Sequence, residues 1–208
     1  HKPSLENNNS CLKSMWTIPN QITISRMILI PIFIIVFYLP VSWNHFGAFV
    51  VFWLASVSDA LDGYLARKLN QTSAFGAFID PVADKLMVAT ALIVIVQDYQ
   101  TWWISIPAMI MIAREIFISA LREFMSSIGK RNEIAVSEMG KYKTFAQMLS
   151  LQGLIWRPDY DIPLILFDFP HQILMGIAYS MFFVATILTI WSMVSYFIVA
   201  WPELKAQK

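Results

Sequence analysis

The sequence predicts an all-α, polytopic membrane protein with six transmembrane helices, and three observations support this fold class. The 208 residues are 57% hydrophobic and 14% charged, and their mean hydropathy is +0.57. An average soluble domain is about 25% charged. The chain contains six apolar stretches near the length of about 20 residues that a helix needs to cross a bilayer. Lysine and arginine concentrate in alternate connections between these stretches, as is typical of cytoplasmic loops.

The apolar stretches place the six helices in chain order. We expect them near residues 22–42, 44–67, 77–97, 101–126, 140–157 and 171–201. Residues 1–14 are polar and lack the apolar centre of a cleaved secretion signal, so we interpret them as an extension ahead of a natural start at Met15. Residues 15–201 then form one six-helix transmembrane domain, and residues 202–208 form a cytoplasmic tail.

The positive charges orient these helices. The connections near residues 40–44, 97–102 and 157–170 contain only Arg157, whereas the other connections and both termini are rich in cations. Because short cytoplasmic loops carry most of the lysine and arginine, both termini are predicted to face the cytoplasm. The cations on that side are Lys2, Lys13, Arg67, Lys68, Lys85, Arg122, Lys130, Arg131, Lys141, Lys143, Lys205 and Lys208.

Composition also excludes some classes of function. The net charge is +1 and the chain has no glycine-rich phosphate loop, so we expect no nucleic-acid partner. Cys11 is the only cysteine, which rules out a disulfide within the chain and a cysteine-based metal cluster.

Four carboxylates at the predicted cytoplasmic side are the strongest indication of chemistry. Asp59 and Asp62 share one face of the second helix, and Asp80 and Asp84 share one face of the third. An aspartate at bilayer depth costs about 2.5–3.5 kcal/mol, so such residues usually face a polar cavity, a partner or an ion. Carboxylate oxygens favour Mg²⁺, Mn²⁺ or Ca²⁺ over Zn²⁺. Four of them can hold two ions about 3.5–4 Å apart, an arrangement that clamps a phosphoryl group.

Small residues and cations lie near the acids in the sequence, and each group has both a functional and a purely structural interpretation. Gly63, Ala66 and Gly76 leave room for a diphosphate to approach the backbone, although small residues also allow close helix packing. The acids can instead form ion pairs with Arg67, Lys68 or Lys85, but Lys85 points away from the acidic stripe of its helix. Ion pairing with these three cations therefore explains only part of the set.

With this spacing the chain resembles the CDP-alcohol phosphotransferase family, whose signature is D-x2-D-G-x2-A-R-x8-G-x3-D-x3-D. All eight specified positions agree: they are Asp59, Asp62, Gly63, Ala66, Arg67, Gly76, Asp80 and Asp84. The likeness runs from about Met15 to beyond residue 190 and is greatest to bacterial members that use glycerol phosphate as acceptor. The segments that carry it are IPNQITISRMILIP, FGAFIDPVADKLMVA, MIAREIFISALREFM and GKYKTFAQ.

The resemblance implies an activity and a set of site residues. The expected reaction transfers the phosphatidyl group of CDP-diacylglycerol to sn-glycerol 3-phosphate and releases CMP, at a cytoplasm-facing site of a homodimer in the bacterial inner membrane. Two Mg²⁺ or Mn²⁺ ions would be held by Asp59, Asp62 and Asp80, with Asp84 as the general base and a further metal ligand. The residues implied to bind CDP-diacylglycerol are Asn20, Thr23, Arg26, Gly63, Ala66, Arg67, Ser73 and Gly76.

The anionic acceptor requires fixed positive charge, and cations of the fourth and fifth helices are candidates. We expect Arg114, Arg122, Lys141 and Lys143 to bind glycerol phosphate. An arginine inside an apolar helix needs a partner, so the alternative for Arg114 is an ion pair with Glu115 or with one of the aspartates.

Three other functions stay open at this stage. The same donor can serve another acceptor, such as inositol phosphate or serine, because the signature concerns the CDP-linked substrate. A membrane prenyltransferase also holds a diphosphate with aspartate-rich helices, and a cation transporter also lines its path with buried acids. The G-x2-A-R-x8-G spacing argues against the prenyltransferase, and the lack of an inverted sequence repeat argues against the transporter.

Overall fold

The structure is a computed structural model that describes residues 17–70, 73–130 and 138–207. In these ranges the chain forms long helices joined by short connections, with one small hairpin between the last two helices. The helices are α1 (Ile18–Phe37), α2 (Asn44–Leu69), α3 (Ala74–Tyr99), α4 (Trp102–Ser127), α5 (Glu138–Trp156) and α6 (His171–Ala206). The hairpin pairs β1 (Ile162–Pro163) with β2 (Asp168–Phe169) in antiparallel register. The all-α prediction is confirmed, and α6 continues to Ala206, five residues past its predicted end.

Four of these helices are long and apolar enough to cross a membrane: α1, α2, α4 and α6. The described residues thus support four candidate spans where the sequence predicted six. Every stretch of α3 that is long enough to span contains three of the charged residues Asp80, Asp84, Lys85 and Asp98. The apolar character of α5 is interrupted by Lys143, Gln147 and Gln152.

Burial in this chain is the reverse of that in a soluble protein. Large apolar side chains such as Ile35, Ile116 and Ile187 are more than 60% exposed. Polar side chains such as Arg26 and Thr189 are completely buried. Because lipid solvates apolar side chains but offers no hydrogen bonds, this pattern is that of a protein embedded in a membrane.

The chain divides into two compact units, residues 1–91 and residues 92–208, so that α3 contributes to both. In the first unit α1 packs against α2, and the rings of Phe33 and Phe52 meet with their centroids 5.7 Å apart. Helix α2 is capped by Asn70, which adopts a left-handed conformation (φ 50°) and donates its N–H to the carbonyl of Ala66. This cap terminates the helix that carries Asp59 and Asp62.

The second unit is held together by packing of α6 against α4 and α5. A buried cluster of Ile118, Leu121, Met125, Tyr196 and Ala200 joins α4 to α6. Between α5 and α6 the approach is close, because a Cβ added at Gly153 would lie only 2.7 Å from the Cβ of Ala178.

Polar contacts complete the second unit. The Tyr99 hydroxyl donates to the carbonyl of Leu154 at 2.9 Å, and Lys130 forms an ion pair with Glu203.

Candidate active site

Three of the four predicted carboxylates converge on two residues of α1. Thr23 Oγ1 lies 2.7 Å from Asp62 Oδ2 and 2.7 Å from Asp80 Oδ1. The guanidinium of Arg26 donates through Nη1 to Asp59, and its Nη2 lies 3.6 Å from both Asp62 Oδ2 and Asp80 Oδ1. Thr23, Arg26, Asp59, Asp62 and Asp80 together form what is referred to below as the carboxylate centre.

One side of the carboxylate centre is open. The side chains of Thr23, Arg26 and Asp62 are buried, whereas those of Asp59 and Asp80 are 45% and 43% exposed. Asp84 lies one helical turn after Asp80 on α3 and is half-buried. The centre is therefore closed on the side of α1. Its accessible side, formed by Asp59 on α2 and Asp80 on α3, is referred to below as the rim.

The centre has too few protons and too little positive charge for its oxygens. The Thr23 hydroxyl carries one hydrogen but lies within 3.1 Å of three acceptors, which are Asp62, Asp80 and the carbonyl of Pro19. When all three carboxyl groups are ionised, Arg26 supplies one positive charge against three negative ones, which leaves a net charge of −2 among these five residues.

This imbalance fits a divalent cation. The donor set consists of hard oxygens, and the uncompensated charge equals that of one such ion. Within the described ranges, no three acidic, histidine or cysteine side chains stand close enough together to enclose a metal ion. The carboxylates would therefore have to draw closer around an ion that they hold together.

Arg26 is the residue whose role sequence reasoning placed differently. The resemblance implied that Arg26 lines the pocket for the donor, and the candidate ion-pair partners of the acids were Arg67, Lys68 and Lys85. In the structure the cation that contacts three aspartates is Arg26, whereas Arg67 is exposed. A signal was present in the sequence, because Asn20, Thr23 and Arg26 recur at i, i+3, i+6 on one face of a helix that is apolar from Met27 onward.

The small residues of the signature have different surroundings. A Cβ added at Gly76 would lie 2.7 Å from Asn20 Oδ1, so this space is taken by a side chain of α1. Asn20 Nδ2 also donates to Ser73 Oγ at 2.9 Å, and Ser73 Oγ accepts the N–H of Gly76 at 3.1 Å. At Gly63 an added Cβ would meet nothing within 4 Å. Gly76 thus serves a helix contact, while the surface at Gly63 is open and Ala66 beside it is half-buried.

The second unit contains a separate cluster of buried charges. Arg114 Nη1 donates to Glu115 Oε1 at 2.7 Å, and its Nη2 donates to Ser192 Oγ at 3.2 Å. Lys143 Nζ donates to the same Glu115 Oε1 at 3.4 Å. Arg114 and Lys143 are 9% and 3% exposed, and both contact the carboxylate of Glu115. The contact between Arg114 and Glu115 is the ion pair that the sequence left open as an alternative for Arg114.

The two other predicted acceptor residues are Arg122 and Lys141. Arg122 is half-buried on α4, about two turns after Arg114. The side chain of Lys141 lies outside the described part of the structure. Glu115 had been weighed only as a partner of Arg114, and its contact with Lys143 and the contact of Arg114 with Ser192 were not predicted, because helical spacing does not show which helices are neighbours.

Comparison with known proteins identifies the class. Residues 16–201 match the family described as CDP-alcohol phosphatidyltransferase, and the chain belongs to this family. Two curated relatives, from Shigella flexneri serotype 5b (strain 8401) and Escherichia coli (strain K12), are each 49% identical to it over 192 residues. The matched region covers 92% of this chain and 99% of each relative. Both relatives are named CDP-diacylglycerol–glycerol-3-phosphate 3-phosphatidyltransferase.

Proposed function

We propose that this chain is a phospholipid-synthesising transferase that moves the phosphatidyl group of CDP-diacylglycerol to sn-glycerol 3-phosphate, with phosphatidylglycerol phosphate and CMP as products. Relatives 49% identical over 92% of the chain are named for this reaction. The observation in the structure that carries the proposal is the convergence of Asp62 and Asp80 on Thr23, each at 2.7 Å, because it joins both halves of the signature in one polar centre.

The lipid donor accounts for a polar centre among membrane helices. The acyl chains of CDP-diacylglycerol remain in the hydrocarbon, while its diphosphate lies at the open rim of the carboxylate centre. The open surface at Gly63, the half-buried Ala66 and the exposed Arg67 provide space and charge for the CDP moiety on α2. Asn20 and Ser73, hydrogen-bonded to each other, support the same pocket from α1 and the start of α3.

Asp59, Asp62 and Asp80 are the residues that would hold divalent metal, with Asp84 as a further ligand. We propose two ions, because Asp84 and the diphosphate of the donor add negative charge to that of the carboxylate centre. They are Mg²⁺ or Mn²⁺, since oxygen-only ligands suit both metals. Metal bound here would neutralise the diphosphate and the departing CMP.

Asp84 acts on the acceptor. Its carboxylate takes the proton of the acceptor's 1-hydroxyl as that oxygen forms a bond to the phosphorus linked to diacylglycerol. The bond from this phosphorus to the bridging oxygen of the diphosphate breaks, and the bridging oxygen leaves as part of CMP. The half-buried position of Asp84, one turn from Asp80, is compatible with contact to a substrate at the rim.

We assign the phosphate of the acceptor to the cations of the second unit: Arg114, Arg122, Lys141 and Lys143. Arg114 and Lys143 support this assignment best, because two buried cations already meet at one carboxylate oxygen, and anions bind readily where buried donors converge. Glu115 would then orient both donors.

The acceptor is tested with purified protein, CDP-diacylglycerol, Mg²⁺ or Mn²⁺ and one acceptor at a time, with the lipid products identified by mass. We expect phosphatidylglycerol phosphate and an equal amount of CMP, and no product without metal. A phosphatidylserine or inositol phospholipid product would overturn the acceptor. Release of pyrophosphate from a prenyl diphosphate would favour a prenyltransferase, and metal flux across proteoliposomes without lipid turnover would favour a transporter.

The assignment of Lys143 is tested by Lys143→Ala. We expect the KM for sn-glycerol 3-phosphate to rise about tenfold or more, since a charge-assisted contact contributes about 1.5–3 kcal/mol, while the KM for CDP-diacylglycerol changes little. Lys205→Ala, which removes an exposed lysine near the end of α6, is the matched control. An unchanged KM for the acceptor in Lys143→Ala excludes this contact.

The cellular setting belongs to the same proposal. We place the chain in the bacterial inner membrane as a homodimer, with six spans, both termini in the cytoplasm and the carboxylate centre facing the cytoplasm. The support is the alternation of cationic connections along the sequence and the bacterial origin of the relatives.

A further inference from the structure

The connection between α5 and α6 ends in an apolar tip that no part of the proposed reaction uses. Four consecutive residues, Leu164, Ile165, Leu166 and Phe167, form the turn of the small hairpin and are 49%, 102%, 91% and 59% exposed. Hairpin turns are usually built from glycine, asparagine, aspartate or proline. A turn made only of large apolar side chains points to a surrounding that is not water.

The base of the hairpin is polar and is fixed to the start of α6. Asp161 Oδ1 accepts hydrogen bonds from the backbone N–H of His171 at 3.2 Å and from its ring Nδ1 at 3.0 Å. These hydrogen bonds from His171 hold the pKa of the exposed Asp161 below its usual range. Trp156 Nε1 donates to the Tyr160 hydroxyl at 3.2 Å, and such amphipathic rings are typical of the membrane–water interface.

The hairpin is fixed at the start of a helix that has an exposed apolar surface. Helix α6 is a candidate membrane span, and its exposed apolar side chains begin at Ile173, two residues after the histidine that holds the hairpin. From the base at Pro163 to the tip the chain reaches about 7–10 Å, which matches the depth to which interfacial segments insert.

We propose that the apolar tip, residues 164–167, inserts into the lipid bilayer beside α6 and anchors the α5–α6 connection in the membrane interface. A second copy of the chain is a poorer occupant, because a stable interface takes about 20–30 residues from each side and the tip offers four. The distribution of charge favours lipid as the occupant, since the acidic residues Asp161 and Asp168 lie at the base of the hairpin and the turn itself is uncharged.

The proposal is tested with an environment-sensitive fluorophore on a single cysteine. Cys11→Ser removes the only native thiol, and Ile165→Cys then provides the labelling site, with Leu166→Cys as a second position at the tip. Asp159→Cys, an exposed position of the same connection, is the control. The full chain is labelled with NBD and placed in lipid nanodiscs, and phosphatidyl transfer by the labelled protein verifies its fold.

At positions 165 and 166 we expect a blue-shifted emission that is quenched by doxyl-labelled lipid and protected from iodide, with the opposite behaviour at position 159. Emission at the tip that resembles that in water and is quenched by iodide overturns the proposal. A tip label that is protected from iodide but not quenched by doxyl lipid also overturns it, in favour of a protein partner.

Discussion

Arg26 is the residue on which the packing of the carboxylate centre depends. It is completely buried and contacts three aspartates that would otherwise repel one another. Removal of one member of a buried ion pair costs about 3–5 kcal/mol, because the remaining charge is left uncompensated. Asp59 and Asp80 are nearly half exposed, so solvent screens part of this cost.

We therefore expect Arg26→Gln to lower the stability of the metal-free protein by about 2 kcal/mol. Divalent metal should stabilise the variant more than the wild type, since the ion replaces a missing positive charge. Thermal unfolding in detergent with and without Mg²⁺ measures both effects, and Arg67→Gln, which alters an exposed arginine of α2, is the control. Equal stabilisation of Arg26→Gln and wild type by metal would contradict this role of Arg26.

The proposed base is tested by Asp84→Asn. We expect turnover to fall about 10²–10⁴-fold, the usual contribution of a general base, while binding of Mn²⁺ and of the donor is partly retained. Asp80→Asn should also weaken metal binding, measured by titration calorimetry. Asp98→Asn, which changes an aspartate of α3 that pairs with Arg157, serves as the control. Full activity of Asp84→Asn would remove Asp84 from the mechanism.

The contacts between side chains were less predictable from the sequence than the identity of the candidate functional residues. Helical periodicity grouped four aspartates, of which Asp59, Asp62 and Asp80 converge on α1, because the angle around one helix follows from spacing alone. The pairing of Arg26 with Asp59 depends on which helix packs against α2, and periodicity contains no information on neighbours. For the same reason the sequence did not show that the space beside Gly76 is filled by Asn20, which comes from a distant part of the chain.

At the scale of elements, Gly76 joins α1 to α3. Its missing side chain admits Asn20 Oδ1, and Asn20 in turn is hydrogen-bonded to Ser73 at the start of α3. The contact therefore supports the placement of the helix that carries Asp80 and Asp84.

We expect Gly76→Ala to destabilise the protein by about 1–3 kcal/mol, since the buried Asn20 must move and its hydrogen bond is lost. Gly63→Ala should leave thermal stability unchanged or slightly raised, because its Cβ would meet nothing within 4 Å and alanine favours helix. Gly63→Ala should instead raise the KM for CDP-diacylglycerol, because the added methyl group takes space that we assign to the CDP moiety. Thermal unfolding and steady-state kinetics of both variants separate these effects, and equal loss of stability in the two would contradict the distinction.

Helix positions were predicted within about five residues, because long apolar runs fix them whatever the tertiary contacts. The hairpin before α6 was not predicted. Its turn contains Leu164, Ile165, Leu166 and Phe167, and none of these residues is typical of a turn.

For the whole molecule the decisive question is the number of spans, since α3 and α5 carry too many polar residues to meet simple criteria for a span. Two such helices can still cross a bilayer when their polar residues face the protein interior. In that arrangement both chain termini lie on the same side of the membrane, which the cationic connections predict to be the cytoplasmic side.

This topology is tested with single cysteines at Gln207 and at Gln100, which lies between α3 and α4, each introduced together with Cys11→Ser. Both positions are exposed, and with four spans both would lie on the same side of the membrane. With six spans we expect an impermeant maleimide to label the cysteine at position 100 in intact spheroplasts and the one at position 207 in inverted vesicles. Labelling of both positions from the same side would contradict the six-span topology.

The length of α6 has a consequence of its own. Its uncharged stretch from Ile173 to Trp201 is about 44 Å long at 1.5 Å per residue, whereas the hydrocarbon of a typical bilayer is about 30 Å thick. Such positive hydrophobic mismatch is relieved by tilting the helix or by local thickening of the lipid, and the penalty grows as the membrane thins. The chain is therefore better matched to thick bilayers than to thin ones, a constraint that is independent of its chemistry.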